Sequence, residues 1–449
     1  MKGYGLLVAA ALLAALSGVL YWSNHHKPAE NDVKVTADTP PKILDLKQDD
    51  ISKIGIKKRG SGLVELAKDA SGKWQIVLPK PYRADQNAVS SLASTLASLS
   101  SERLLDAKAG NLAQYGLADA GYEVDVIEKN NTAHQLLIGD EAPAGSNSYA
   151  ALAGDSRVFM LGSYGKTSIE KSLNDLRDKR LLVFDSDKLS RVELTAKKQD
   201  LEFGRNKDQW QIVKPKPLRA DDSKVEELIR KLADAKMDLS ASDEDQKRAA
   251  AAFGSGTAVA TAKVTDASGT EELQVRKNKD EYYAKSSAVE GVYKVGSDIG
   301  TAFDKEVDDF RNKKLFDFGF TEPEKIELHD GAKAYFLTKG GQEWFSADGK
   351  KLDAIGAEAL IVKVRDLAAH KFVDSGFGTA AIEVTASSNG GKSVEKVLIS
   401  MVGGRFIAKR EGEPALYELE SGVVKDLEKT AGDMKPAVEP KPAAPPKKK

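Results

Sequence analysis

One short sequence motif occurs twice in this chain, and its repetition constrains the fold more than any other feature. "WQIVLPKPYRAD" begins at Trp74, and "WQIVKPKPLRAD" begins 136 residues later at Trp210. A weaker copy, "WFSADGKKLDA", begins at Trp344 after a further 134 residues. This period is far longer than the roughly 20–50 residues of solenoid repeats, so the repeated unit is a domain-sized module.

The residues around each tryptophan share one pattern of strands and helices. Two segments that alternate apolar and polar residues precede each tryptophan, and four more follow in each copy, which predicts an antiparallel meander. An amphipathic helix is predicted after Asp85 and after Asp221. A closing helix is predicted over residues 169–184 and again over 301–318. The pattern predicts an α+β fold of tandem modules, each an antiparallel sheet with one or two packed helices, after an N-terminal transmembrane helix.

The pattern divides the chain into six segments. The order is a signal anchor at 1–24, a linker at 25–42, modules at 43–188, 189–323 and 324–434, and a tail at 435–449. The third module is degenerate. The tail is rich in proline, alanine and lysine and is predicted to be disordered.

The N-terminal segment predicts a membrane anchor. Residues 4–22 carry no charged side chain, and about 20 such residues span a bilayer as a helix. Tyr21 and Trp22 end the run, where aromatic residues favour the membrane interface. We therefore expect a single-pass protein of the bacterial inner membrane, embedded in the lipid bilayer through residues 4–22, with its bulk periplasmic or extracytoplasmic. A cleaved signal peptide is the alternative, since residues 15–17 offer a small-x-small site.

The composition and the absence of known motifs exclude several kinds of catalytic and binding site. The chain has no cysteine, which excludes disulfides, thiolate metal sites and cysteine nucleophiles. The net charge of −1 gives no general attraction to nucleic acid. His134, His329 and His370 are isolated, and the sequence lacks a P-loop, G-x-G-x-x-G and G-x-S-x-G. We predict no catalytic, cofactor-binding or metal-binding residues, no cofactor and no nucleic-acid partner.

Nine residues form the candidate repeated motif, for which we predict a structural role. They are Trp74, Pro79, Asp85, Arg177, Trp210, Pro215, Asp221, Arg311 and Trp344. The tryptophans are predicted core residues, the aspartates helix N-caps and the arginines salt bridges at module junctions. The alternatives are ligand stacking, catalytic carboxylates and anion binding. The basic loops at 80–83 and 214–219 are predicted to be solvated turns, with an acidic glycan or partner surface as the alternative.

The order W-x-I-x-x-P…A-D, helix, meander and D-L-R-x-K-x-L resembles the bacterial domain of unknown function 4340 family. Ile76, Ala84, Ile212 and Ala220 match it together with the motif residues, whereas the third copy keeps Trp344 and lacks the proline and the arginine. The resemblance implies an envelope protein of unassigned activity. It also implies an accessory role beside gliding-motility-type ABC transport systems, whose subunits would then be partners.

These observations predict a membrane-anchored envelope protein that is not an enzyme. Its repeated modules would act outside the membrane as a binding or scaffold subunit, accessory to an ABC transport system. One alternative is a periplasmic small-ligand binder. The other is an enzyme acting on envelope polymer, with Asp85 or Asp221 in a cleft between modules.

Overall fold

The computed structural model describes residues 40–437, except for 144, 207–208, 241 and 319–322. The predicted anchor at 1–24 and most of the predicted linker and tail lie outside the described residues. Among the residues described, no helix is both long enough and apolar enough to cross a bilayer. The chain divides into two compact units, with the boundary between Asp178 and Lys179.

The first unit contains one antiparallel sheet of nine strands in the order β4-β3-β2-β1-β6-β7-β8-β9-β5. The strands are β1 Ile51–Lys58, β2 Val64–Lys68, β3 Trp74–Leu78, β4 Tyr82–Arg83, β5 Arg103–Asp106, β6 Tyr122–Glu128, β7 Ala133–Glu141, β8 Ser148–Leu152 and β9 Val158–Leu161. The helices are α1 Gln86–Ala97, α2 Ser163–Ile169 and α3 Leu173–Leu176.

The second unit contains two antiparallel sheets, the first with eight strands in the order β13-β12-β11-β10-β14-β15-β16-β17. These strands are β10 Arg191–Ala196, β11 Gln199–Asn206, β12 Gln209–Lys214, β13 Leu218–Arg219, β14 Thr257–Asp266, β15 Gly269–Asn278, β16 Glu281–Ser286 and β17 Val292–Val295. The helices are α4 Asp222–Ala233, α5 Asp243–Ser255, α6 Ser297–Phe303 and α7 Val307–Phe310.

The other sheet of the second unit also has eight strands, in the order β20-β19-β18-β22-β23-β24-β25-β21. The strands are β18 Lys325–Asp330, β19 Lys333–Gly340, β20 Glu343–Phe345, β21 Lys371–Val373, β22 Ala380–Ser388, β23 Ser393–Val402, β24 Arg405–Arg410 and β25 Leu416–Leu419. The helices are α8 Ala354–Arg365 and α9 Ser421–Gly432. The predicted α+β, sheet-rich repeated layout is confirmed.

Each sheet packs its buried face against the helix that follows the tryptophan strand. In the second module, α4 buries Val225, Leu228, Ile229 and Leu232, which recur at the spacing of one helix face. The strands alternate buried and solvated residues at period two, as in the pattern of β10. The two periodicities meet in one main apolar core per sheet, and the first and second modules each add a smaller apolar cluster.

The predicted closing helices are shorter than the sequence pattern indicates. Residues 169–184 contain only the end of α2 and the four-residue α3, and 301–318 contain the end of α6 and the four-residue α7. After α3 and α7 the chain is extended. Its next apolar residues, Leu181 and Leu182 in one case and Leu315 and Phe316 in the other, are buried in the core of the following module.

Every module therefore begins with a short entry segment that pairs with the end of its main helix. The N–H groups of Ile43, Leu181 and Leu315 donate to the carbonyl groups of Leu99, Ala235 and Leu367, at 2.7, 2.8 and 2.9 Å. The sequence pattern predicts that residues 181–182 belong to the first module and residues 315–316 to the second. In the structure they complete the second and third cores.

Candidate functional site

The three repeated tryptophans lie on the third strand of their modules and are buried, with exposed fractions of 4%, 3% and 7% for Trp74, Trp210 and Trp344. Each belongs to the main core of its module. A cation from the neighbouring strand lies near each indole, at 5.0, 5.4 and 5.7 Å from the ring centroid, in Lys68, Arg205 and Lys339. The indoles act as packing residues whose outer edge is covered by a basic side chain.

The two repeated prolines lie in the turn that follows the tryptophan strand. Pro79 and Pro215 are each preceded by a cis peptide bond. The third module makes this turn with glycine instead, since Gly349 adopts a φ of 75° and donates its N–H to the carbonyl of Ser346 at 2.9 Å. A φ in this left-handed region favours glycine, which explains how the third copy turns without the proline.

The repeated aspartates cap the main helices. Asp85 accepts the N–H groups of the second and third residues after it, at 3.0 Å each. Asp221 makes the same two contacts at 3.0 and 3.3 Å. Asp353 caps α8 by accepting the N–H of the third residue after it at 2.8 Å, and sequence analysis missed this residue. A cap of this kind contributes about 0.5–2 kcal/mol, which accounts for its recurrence.

The end of each module returns to the residue that precedes the capping aspartate. Isolated bridges join Ala84 to Arg177, Ala220 to Arg311, and Leu352 to Pro436. In each case the N–H of the capping aspartate donates to the carbonyl of the residue just before the arginine or proline, at 2.8 to 2.9 Å. We call this pairing the exit clasp. It places the repeated aspartate and the repeated arginine side by side, and it shows that Pro436 occupies the arginine position in the third module.

The side chains of the two clasp arginines stack on aromatic rings. The Arg177 guanidinium lies 4.0 Å from the centroid of Tyr82 and is buried. The Arg311 guanidinium lies 3.4 Å from the centroid of Phe372 and donates to the Asp308 carboxylate at 3.0 Å. Phe372 belongs to β21 of the third module. Arg311 thus connects the second and third modules through an aromatic ring, a partner that sequence analysis missed.

A cluster of charged residues lies beside Arg311 at the same junction. Arg219 donates to Asp317 at 2.5 Å, and Arg410 contacts Asp317 at 3.0 Å, Glu413 at 3.0 Å and Glu395 at 3.3 Å. Burial raises the pKa of Glu395 above its usual value. The 214–219 loop was predicted to be a solvated turn. Residues 214–217 are exposed, whereas Arg219 is only 19% exposed and is held by the ion cluster, which we define as Arg219, Asp317, Glu395, Arg410 and Glu413.

A cavity of about 260 Å³ lies next to the ion cluster. Its lining includes Leu218, Arg219, Arg311, Phe372 and Tyr417. The two arginines of this lining bind carboxylates and a ring of the protein itself, so the arrangement is suited to joining modules. Among the described residues, no group of three or more histidines, aspartates and glutamates is placed to hold a metal ion.

Comparison with known protein families agrees with the repeat. A family model described as "Domain of unknown function (DUF4340)" matches residues 74–211 and again residues 210–386. This chain belongs to the DUF4340 family. The two matches begin at Trp74 and Trp210, so the tandem arrangement of the DUF4340 protein is confirmed. No curated protein and no solved structure matches the chain.

Proposed function

We propose that this DUF4340 protein is a non-enzymatic, membrane-anchored envelope protein whose modules form a binding or scaffold subunit accessory to an ABC transport system. One observation carries the proposal. The repeated side chains are used within the fold: the tryptophans fill cores, the aspartates cap helices and the arginines stack in or beside the exit clasp. These residues recur because each module needs them to fold and to join its neighbour.

The segments that differ between modules support a binding role. Between the main helix and the following long strand, the first module carries residues 107–121, the second carries α5 and the third carries only 374–379. Each covers the outer face of its sheet in its own way; for example, Tyr115 packs edge-on against Tyr149 at 5.0 Å. In repeat proteins, segments that vary on a common frame are often the ones that contact partners.

The junction of the second and third modules supports a scaffold role. Arg311 and Arg219 both reach from the second module to residues of the third. Side chains with few exposed atoms and several partners hold a relative orientation better than an isolated surface ion pair does. A pair of modules joined in this way can present two surfaces at a fixed spacing.

The proposal is tested by affinity purification of the full-length protein from membranes of its native host, with mass spectrometry of bait and co-purifying proteins. We expect ABC transporter subunits together with a bait that retains residues 4–22. A matched pair of charge reversals, Arg248→Glu on α5 and Arg191→Glu on β10, shows whether the variable segment is used. Loss of partners in the first variant alone would support a binding surface on α5.

Two outcomes would contradict the proposal. A bait that begins near residue 18 and brings down no membrane protein would indicate a soluble periplasmic protein. Recovery of the same partners from membranes that lack the transporter subunits would remove the accessory role.

A further inference from the structure

The first module contains a cavity that arises from a difference in one hairpin. In the second and third modules the first two strands are joined by two-residue turns, 197–198 and 331–332. In the first module the pairing of β1 with β2 ends at Ile56 and Val64, β1 continues beside β6 to Lys58, and residues 59–63 form a longer loop. A cavity of about 420 Å³ lies beneath this loop.

The second module shows what closes the corresponding space. Gln199, directly after the tight turn, reaches the start of α7, where its side-chain oxygen accepts the N–H of Val307 at 3.0 Å. The equivalent helix of the first module is α3, which begins at Leu173. There residues 61–63 of the longer loop and Leu173 of the helix line the cavity together.

The floor of the cavity is apolar. It includes Ile56, Val64, Pro79, Tyr122 and Leu173. The Tyr122 hydroxyl donates to a backbone carbonyl at 2.8 Å, and burial raises its pKa to about 12, so this group is neutral near pH 7. The floor therefore offers an apolar surface without a charge.

The rim of the cavity carries charged side chains, and two of its cations, Lys58 and Lys171, have no acidic partner among the described residues. The Glu170 carboxylate lies 4.0 Å from the Lys166 ammonium, and Asp175 accepts the N–H and the hydroxyl of Ser172 at 2.8 and 2.7 Å. Lys58 makes no ion pair with any residue that the structure describes, and its side chain is exposed at the rim. The Lys171 ammonium donates to the backbone carbonyl of Thr167 at 3.0 Å, so Lys58 is the lysine of this rim whose ammonium binds no described group.

We propose that this cavity binds a small amphiphile with an apolar body and an anionic head group, of which a short-chain alkyl carboxylate is the simplest form. The body lies on the floor of Ile56, Val64 and Tyr122, and the head group pairs with Lys58. The volume falls within the roughly 300–1,000 Å³ of small-molecule sites, which combine an apolar lining with a few polar groups. The site belongs to the first module alone and is independent of the proposed scaffold role.

The test uses the full chain in lipid nanodiscs, with ligand-observed saturation-transfer NMR and empty nanodiscs as the blank. Hexanoate, hexylammonium and acetate serve as probes, since they separate the contribution of the apolar body from that of the head group. We expect saturable binding of hexanoate, binding of hexylammonium at least about fivefold weaker, and no saturable binding of acetate. Absence of saturable hexanoate binding, or equal binding of the two hexyl probes, would overturn the proposal.

Two variants test whether the ligand binds in this cavity. Lys58→Glu should weaken hexanoate binding by about fivefold or more, whereas Lys53→Glu, an exposed lysine on the same strand outside the cavity, should leave binding unchanged. Val64→Phe should fill the floor and abolish binding, with thermal unfolding used to show that the variant folds. Equal effects of the two lysine variants would remove Lys58 from the site and sink the assignment, whether or not Val64→Phe folds.

Discussion

Replacing Arg219 with alanine tests whether the ion cluster holds the second and third modules together. The guanidinium donates to the Asp317 carboxylate at 2.5 Å and to the backbone carbonyl of Lys314 at 2.9 Å, and it lies 3.9 Å from Glu413. Asp317 and Glu413 belong to the third module, and Lys314 pairs with Ala368 of that module, whereas Arg219 ends β13 of the second. The substitution therefore removes contacts between modules and leaves the individual cores intact.

The expected loss in the free energy of unfolding depends on how exposed Arg219 and Asp317 are. A hydrogen bond to a charged group contributes about 1.5–3 kcal/mol, whereas an exposed ion pair contributes about 0.2–1 kcal/mol. Arg219 is 19% exposed and Asp317 is 39% exposed, which places this pair between the two cases. Asp317 also keeps Arg410 as a partner after the change. We expect a loss of about 1–2 kcal/mol in the free energy of unfolding.

The assay uses the tryptophans as reporters of separate modules. Urea unfolding is followed by fluorescence in two backgrounds, one that keeps only Trp210 and one that keeps only Trp344, with phenylalanine at the other tryptophan positions. The two transitions should coincide when Arg219 is present and separate in Arg219→Ala. Arg191→Ala, which removes a 49%-exposed arginine of the second module, is the control. If Arg219→Ala shifts the transitions no more than this control does, the ion cluster does not hold the second and third modules together.

Three further predictions concern single residues. Asp85→Ala should destabilise the first module by about 0.5–2 kcal/mol in thermal unfolding, with a smaller loss for Asp85→Asn; a loss of function without a loss of stability would instead indicate a chemical role. Arg410→Ala should lower the free energy of unfolding by about 2–3 kcal/mol because it leaves the partly buried Glu395 without its ion-pair partner, whereas Arg405→Ala should cost under about 1 kcal/mol. The folded-state pKa of Tyr122 is raised from 10.0 to about 12, so its contribution to stability is complete below pH 10 and is lost as the pH rises to 12. An alkaline unfolding series should show a flatter slope in Tyr122→Phe.

The elements that sequence analysis predicted correctly are those with a strong local signal. The alternation in β10 and the 3-4-7 spacing in α4 are each visible within a dozen residues, and each is set by one buried face. The capping of α1 by Asp85 is also a local pattern. These features require only that one face of an element be apolar, which a single sequence records.

The closing helices show where local patterns fail. The run after Arg177 continues the apolar spacing of a helix, yet Leu181 and Leu182 belong to the next core. Two adjacent apolar residues fit both a helix and an extended segment, so hydrophobic periodicity does not distinguish the two conformations here. In the extended conformation the N–H of Leu181 donates to the carbonyl of Ala235, a partner more than fifty residues away that local periodicity does not record.

The third module shows a different kind of failure. Asp353 follows its tryptophan by nine residues, whereas Asp85 and Asp221 follow theirs by eleven, because the third turn is shorter. Pro436 replaces the clasp arginine and shares no side-chain chemistry with it. The capping aspartate is thus displaced by two positions, and the equivalence of Pro436 rests on backbone pairing, which tolerates nearly any residue type. Alignment by residue identity therefore misses them, although the backbone geometry is kept.

The aromatic partner of Arg311 was unpredictable for a related reason. A basic residue near Asp308 and Asp309 on a short helix suggests a local salt bridge, and the contact with Asp308 is present. The ring of Phe372 lies sixty-one residues further along the chain and reaches Arg311 only because β21 pairs with β25 at the edge of the third sheet. Long-range contacts of this kind depend on the topology of the sheet, which local patterns do not encode.

The connection between the second and third modules leaves little freedom for a hinge. Arg311 pairs with Ala220 in the exit clasp of the second module, and Leu315 pairs with Leu367 in the third, so only three residues lie between two fixed points. Of these three, Asn312 donates its N–H to the second module and Lys313 and Lys314 bond to the third. A chain tied to both cores cannot act as a flexible linker. The ion cluster and the Arg311–Phe372 stack then add side-chain contacts to a junction that the backbone already restricts, and a partner bound across both modules would meet a surface that is organised in advance.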